Sequence, residues 1–179
     1  MIHSVTVYLG AMPGNDPIFM KAAAELGNWI GANGKRLVYG GSKAGLMGEL
    51  AKSALLAGGE VIGVEPQFFI DAELQLDGLT QLIVTKNMTE RKAKMLEIGD
   101  AFIAFPGGTG TLEEISEAAS KVSLALMSSP VIFYNLNGYY DDLKKMFEKM
   151  IACGLSSAGR QKGIYFAENL EQIIEILGN

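Results

Sequence analysis

Short apolar runs alternate strictly with longer amphipathic segments along the chain, and this alternation constrains the fold more than any other feature of the sequence. The runs are "SVTVYLG" (4–10), "RLVYGG" (36–41), "EVIGV" (60–64), "QLIVT" (81–85), "DAFIAF" (100–105), "PVIFYN" (130–135) and, more weakly, "GIYFA" (163–167). Most lack the polar alternation of a half-exposed strand, so strands covered on both faces are expected. The segments between them carry helical spacing. In "DPIFMKAAAELGNWIGANG", Asp16 suits the N-cap, Pro17 the first helical position and Gly34 the stop. "AGLMGELAKSALLAGG", "TERKAKMLEIG", "TLEEISEAASKVSLALM", "YYDDLKKMFEKMIACG" and "AENLEQIIEILG" follow the same logic. Strand and helix in turn predict an α/β fold, a Rossmann-like doubly wound parallel sheet with helices on both faces. No linker, repeat or low-complexity stretch divides the sequence, so residues 1–179 are expected to form a single domain.

Composition narrows the function classes. The net charge of −5 and pI of about 4.9 argue against a nucleic-acid polymer as partner, which calls for a basic face. They leave room for a small anion, because a nest of backbone N–H groups binds phosphate even on an acidic protein. Cys153 is the only cysteine and His3 the only histidine, which rules out an intrachain disulfide, a thiolate metal cluster, a histidine triad and a multi-histidine metal site. "MIHSVTVYLG" lacks the basic start and long apolar run of a signal peptide, and no run is long enough to span a bilayer. A cytoplasmic protein without membrane contact is the expectation.

Ligands of doubly wound sheets bind where strands end, and glycine-rich loops follow three of these strands: "LGAMPGNDP", "VYGGSKAGLMG" and "FPGGTGT". In the last, Gly107, Gly108 and Gly110 can turn without Cβ clashes so that their N–H groups converge on one anion. Thr109 and Thr111 add hydroxyls, and a helix beginning near Thr111 turns its positive end to the same point. No lysine follows the last glycine and GxGxxG is not met, so neither a P-loop nor a dinucleotide fingerprint is present. The second loop, Gly40 to Gly48, serves equally as a phosphate floor or as close helix–strand packing.

Two adjacent acids, Glu113 and Glu114, stand within a turn of this expected phosphate site. Compensation of the helix dipole explains one of them. Adjacent helical residues point about 100° apart, so if one faces solvent the other can face the ligand cleft. "NMTERKAKM" supplies Arg91, Lys92 and Lys94 just before the same strand, and a basic residue there can bind phosphate and offset the acid. A phosphate site, an arginine and a carboxylate suit cleavage at the anomeric carbon of a nucleoside 5′-phosphate, where a fixed carboxylate stabilises an oxocarbenium-like transition state and activates water.

"PGGTGTLEE" (106–114) matches the PGGxGTxxE signature of the Lonely Guy family, cytokinin riboside 5′-monophosphate phosphoribohydrolases also labelled lysine decarboxylase-like. "GAMPGNDPIF", "LVYGGSKAGLMGELAKSAL" and "NMTERKAKM" resemble the family's two earlier loops and its M-x-x-RK-x-x-M helix. The resemblance runs from about Val5 to Asn135, with Arg91 and Glu114 at the family's spacing of 23. It implies hydrolysis of the N-glycosidic bond of an N6-modified adenosine 5′-monophosphate to free base and ribose 5-phosphate, with no metal and no cofactor, by a homodimer. Arg91 and Glu114 would be the catalytic pair. Gly107, Gly108, Thr109, Gly110 and Thr111 would bind the 5′-phosphate, with Glu73, Met88, Lys92 and Ser120 as further substrate-binding positions. Ala118, Ala119, Val122 and Ala125 suit either a pairing surface or a core face.

Some positions depart from the family pattern. "VIGVEP" stands where the family usually has VIGVIP, which puts Glu65 at the mouth of the cleft; Ser120-Lys121 replaces a frequent Thr-Trp, and Thr109 an aromatic. These changes fall on the base and sugar side, so plain AMP competes with a prenylated nucleotide as substrate. Two other readings stay open: a nucleotide or molybdenum-cofactor carrier of the same fold without hydrolysis, and a decarboxylase, which would need a lysine bound to pyridoxal phosphate.

Overall fold

Seven parallel strands form one sheet in the order β4-β3-β2-β1-β5-β6-β7 in a computed structural model that describes residues 2–178. The strands are β1 (Ser4–Tyr8), β2 (Arg36–Tyr39), β3 (Val61–Pro66), β4 (Gln81–Thr85), β5 (Ala101–Ala104), β6 (Val131–Tyr134) and β7 (Ile164–Ala167). The helices are α1 (Pro17–Ala32), α2 (Gly45–Leu56), α3 (Gln67–Asp71), α4 (Met88–Ile98), α5 (Thr109–Ser123), α6 (Asp141–Ala152) and α7 (Leu170–Leu177). The α/β Rossmann-like arrangement expected from the alternation is therefore present, with every strand pair parallel.

The period of two along each strand divides the core between the faces. Val5 and Val7 on β1 and Ile103 on β5 pack with Leu26 of α1, Leu50 of α2 and Ile173 of α7. Tyr8, Phe102 and Ala104 point the other way, against Met95 of α4 and Ile115 of α5. On the first face α1 crosses close over α2 because Gly27 and Gly31 have no Cβ: one at either position would overlap the Leu50 or the Ala54 carbonyl.

Local signals placed most boundaries. Asp16 caps α1, its carboxylate accepting the Ile18 N–H at 2.9 Å, and Pro17 opens the helix. Gly34 follows the C-cap with φ of 63°. Three features differ from expectation. β4 is an edge strand with Val84 47% exposed, so it is not covered on both faces. α3 follows β3 directly, with Pro66 as its cap, and is too short to show a periodicity. α5 stops at Ser123 because Ala125 turns into the left-handed region with φ of 55°, which removes the last expected turn. Ala118, Ala119 and Val122 of α5 are buried in the chain's own core, so they form a core face and not a pairing surface.

The strand order reverses between β1 and β5: β2, β3 and β4 build outward on one side, β6 and β7 on the other. Diverging connections leave a crevice at the carboxyl ends of β1 and β5.

Candidate active site

A cavity of about 690 Å³ opens at this crevice, walled by all three glycine-rich loops. Leu9, Gly10, Met12 and Gly14 come from the loop after β1, Gly40 and Ser42 from the loop after β2, and Pro106 to Thr111 from the loop after β5. Two tyrosines beyond β6 fix the third loop: Tyr139 donates its hydroxyl to the Gly107 carbonyl at 2.6 Å and Tyr140 to the Phe105 carbonyl at 2.8 Å. Asn135 in turn shapes that segment, accepting the Tyr140 N–H at 2.6 Å and donating to Asp141 at 2.8 Å.

The glycines of the third loop act differently from expectation. None of Gly107, Gly108 and Gly110 has positive φ, so the turn does not depend on left-handed backbone. At Gly107 a Cβ would overlap the Thr111 hydroxyl, whereas at Gly108 and Gly110 it would enter open space. The helix begins at Thr109, earlier than Thr111, and its N-cap Gly108 offers no side chain. The first-turn N–H groups therefore remain for an anion reaching the open surface above the two glycines.

Beside this loop lies a buried ion pair. Arg91 on α4 and Glu114 on α5 meet at 3.1 Å, each side chain only 8% exposed. Arg91 is anchored on three sides, its Nε donating to the Val64 carbonyl at 2.9 Å, one terminal nitrogen to Glu114 and the other to the Gly40 carbonyl at 3.4 Å. Most of the guanidinium donors are thereby engaged, so Arg91 orients Glu114 and supplies local positive charge more than it clamps a phosphate. Burial pushes the Glu114 carboxyl above the ordinary carboxylate range, with Arg91 pulling it back.

The adjacent acids are reconciled by adjacent cations. Glu113, exposed to solvent but also part of the cavity wall, accepts from Lys92, which also lies 3.7 Å from Glu117. The hydrogen bond to Glu113 raises the Lys92 pKa. Thus consecutive residues of α4, Arg91 and Lys92, neutralise consecutive residues of α5, Glu114 and Glu113, and Lys92 stays out of the cavity wall.

Of the sequence-predicted residues, Arg91, Glu114, Met88 and the loop Gly107, Gly108, Thr109, Gly110 and Thr111 are brought together around the cavity. Lys92, Glu73 and Ser120 are not. Glu73 is exposed in a turn with φ of 55°, and its neighbour Leu74 lines the cavity instead; Ser120 is exposed on α5. Sequence reasoning missed Phe19, Phe69, Leu74 and Tyr139, apolar residues whose place on the wall is set by chain crossings no local pattern reveals. Among the described residues no group of three or more His, Cys, Asp or Glu side chains is placed to hold a metal ion.

Glu65 needs a correction. It is not at the mouth: it is 1% exposed at the end of β3, lines the cavity, and its Oε2 has no hydrogen-bond partner among the described residues. Burial raises its pKa, with Arg91 opposing. The folded state thus favours the protonated form. Its contribution to stability is full in acid below the ordinary carboxylate pKa and is lost as pH rises through the raised folded value. Glu65→Gln, which does not titrate, is expected to melt above the parent at neutral pH, the gap closing towards about pH 4. Thermal melts across that range check this; a gap independent of pH would contradict it.

Gly40 sits under the arginine. A Cβ there would overlap Arg91 Nη2 and the Met47 methyl, so Gly40→Ala should push the guanidinium off its anchors. The expected outcome is a lowered melting temperature, since the buried pair is disturbed, with catalytic efficiency lower by about 100-fold, the scale of a 1 Å misplacement in a site. An unchanged rate would show that the three-sided anchoring of Arg91 is dispensable.

Comparison with known proteins places this geometry in a family. Residues 47–177 match the family model described as possible lysine decarboxylase. The cytokinin riboside 5′-monophosphate phosphoribohydrolase of Rhodococcoides fascians is 41% identical over 172 residues, covering 96% of this chain and 87% of that protein. The Arabidopsis thaliana cytokinin riboside 5′-monophosphate phosphoribohydrolase is 34% identical over 173 residues, 97% of this chain and 80% of its own length. Among solved structures, the molybdenum cofactor carrier protein of Chlamydomonas reinhardtii superposes with a TM-score of 0.74 at 24% identity, covering 100% of both chains, a likeness of fold alone. Matched by the family model over most of its length and by these relatives over nearly all of it, the chain belongs to the family of the cytokinin riboside 5′-monophosphate phosphoribohydrolases, the Lonely Guy family.

Proposed function

We propose that this protein is a nucleoside 5′-monophosphate phosphoribohydrolase that hydrolyses the N-glycosidic bond of an adenosine 5′-monophosphate, N6-modified as in its relatives or plain, to free base and ribose 5-phosphate. The observation that carries the reading is the buried Arg91–Glu114 pair at 3.1 Å beside an uncapped helix N-terminus in the cleft. The 5′-phosphate sits on the first-turn N–H groups of Thr109 to Thr111, which sets C1′ of the ribose beside Glu114. The C1′–N bond breaks with its electron pair leaving on the base, which takes up a proton. Positive charge grows on the ribose ring, and the Glu114 carboxylate, short of water and held in place, stabilises it. Water adds to C1′ and loses its proton towards Glu114, whose raised pKa makes it a better base than a free carboxylate.

Among the described residues no helix is long and apolar enough to cross a membrane. We infer a cytoplasmic enzyme acting on a small nucleotide. We infer a homodimer of single-domain subunits, with exposed Leu124 and Leu126 just past α5 as surface a second copy can cover. The test is incubation of purified protein with AMP and, separately, isopentenyladenosine 5′-monophosphate, following free base by chromatography. Release from either substrate is the expected result. Nucleotide bound but unconverted would favour a carrier of the same fold.

A further inference from the structure

Glu65 is a buried carboxyl that the hydrolytic reading does not use, and its surroundings give it a ligand-facing role. It lines the same cavity as Arg91 and Glu114, is almost wholly shielded from solvent, and leaves Oε2 without a partner. Native interiors rarely leave such an atom unmatched, and a ligand seated in the cavity that Glu65 lines is one source of the missing partner. Arg91 is the nearby cation, but it is committed to Glu114, Val64 and Gly40. Burial raises the Glu65 pKa against the pull of Arg91 and so favours the protonated form, which carries a hydroxyl to donate as well as a carbonyl oxygen to accept.

Its place in the sheet says which part of the ligand it meets. The glycine loop follows β5, and Glu65 lies three strands away on β3, about 14 Å at the usual strand spacing. A nucleotide laid from the loop past Glu114 therefore points its base towards β3. On the β6 side of the cavity stand Phe19 and Tyr139, packed edge to face with centroids 6.3 Å apart. Phe69, Leu74 and Met88, from segments beside β3 and β4, add apolar surface to the same wall, which suits the faces of a purine ring.

We propose that Glu65 is a specificity-determining residue that hydrogen-bonds the edge of a 6-aminopurine, its hydroxyl donating to a ring nitrogen and its carbonyl oxygen accepting the neighbouring amino N–H. The proposal rests on the nucleotide orientation given under Proposed function and adds the base that the site selects. A neutral carboxyl and an aminopurine edge match donor to acceptor at both contacts, whereas a purine lacking the amino group leaves one contact empty.

The test compares AMP with purine riboside 5′-monophosphate, which lacks the amino group, on the parent, Glu65→Gln, Glu65→Ile and Glu65→Leu, reading both kcat/KM and calorimetric Kd. The parent is expected to prefer AMP by ~10-fold or more, the worth of one buried hydrogen bond. Glu65→Gln, whose amide presents the same donor and acceptor, should keep that preference. The two apolar variants, checked for folding by thermal melt, should reduce it to within about twofold. Full preference in a folded apolar variant, loss of preference in Glu65→Gln, or no preference in the parent would each overturn the proposal. The binding arm separates this from the hydrolase reading: absence of base release with a Glu65-dependent preference in Kd would sink hydrolysis and leave the recognition role standing.

Discussion

Glu114→Gln is expected to abolish base release while nucleotide binding persists. The amide keeps the shape of the side chain and can still accept from Arg91, which donates to Oε1 at 3.1 Å in the parent. What it loses is the negative charge facing the ribose and the ability to take a proton from water. Loss of a placed charge and of a general base each reduce turnover by about 10²–10⁴-fold, so kcat should fall to near background. KM or Kd for the nucleotide should change little, because the proposed phosphate site is the first turn of α5, Thr109 to Thr111, and not Glu114. In the parent, kcat/KM should rise with pH through a value above the ordinary carboxylate range, since the active form is the ionised one and burial raises the Glu114 pKa. That acid limb should vanish in the variant. Turnover within tenfold of the parent, on the order of 1.4 kcal/mol, would remove Glu114 from the chemistry.

Arg91→Ala carries the second large effect, on stability as well as rate. Removing the guanidinium leaves Glu114 buried with no cation and frees the carbonyls of Val64 and Gly40. Breaking a buried pair from one side costs about 3–5 kcal/mol, though protonation of Glu114 will recover part of this. The destabilisation should accordingly be larger at neutral pH than in acid. Efficiency should fall by about 10²–10³-fold, because Glu114 then loses the cation that favours its ionised form and is no longer oriented. Arg91→Lys should rescue little, since an ammonium on a flexible stem does not reach three partners in different directions. Urea melts and steady-state kinetics at two pH values check both claims. A variant as stable as the parent at neutral pH would mean the pair is not the buried unit described.

The sequence carried the sheet because its signal is periodic and local. Apolar runs without alternation marked β1, β2, β3, β5 and β6 as covered strands, and Asp16 with Pro17 marked the start of α1. The edge position of β4 and the left-handed turn at Ala125 depend on what packs alongside, which no window of sequence contains. The same division applies to the site. The loop 107–111, Arg91 and Glu114 were legible because their residue types are unusual where they stand. The partition of Glu113 and Glu114 between Lys92 and Arg91 was not, because it follows from how α4 and α5 approach each other across the sheet. Glu65 shows the limit most clearly. One acid in an apolar run suggests a strand end at a rim, and only the crossing of Gly41 and Arg91 over it shows that it is enclosed. Tyr139 and Tyr140 gave no signal at all, yet their hydroxyls hold the backbone of the glycine loop after β5.

Hydrolysis in this cleft is expected to break the glycosidic bond and leave the phosphate ester intact. Phosphorus NMR of the purified protein with AMP and with isopentenyladenosine 5′-monophosphate tests it most directly. The nucleotide resonance is expected to be replaced by that of ribose 5-phosphate, in step with free base in the same sample, and Glu114→Gln to leave the spectrum unchanged. Inorganic phosphate with intact nucleoside, or an unaltered nucleotide signal from the parent protein, would contradict it.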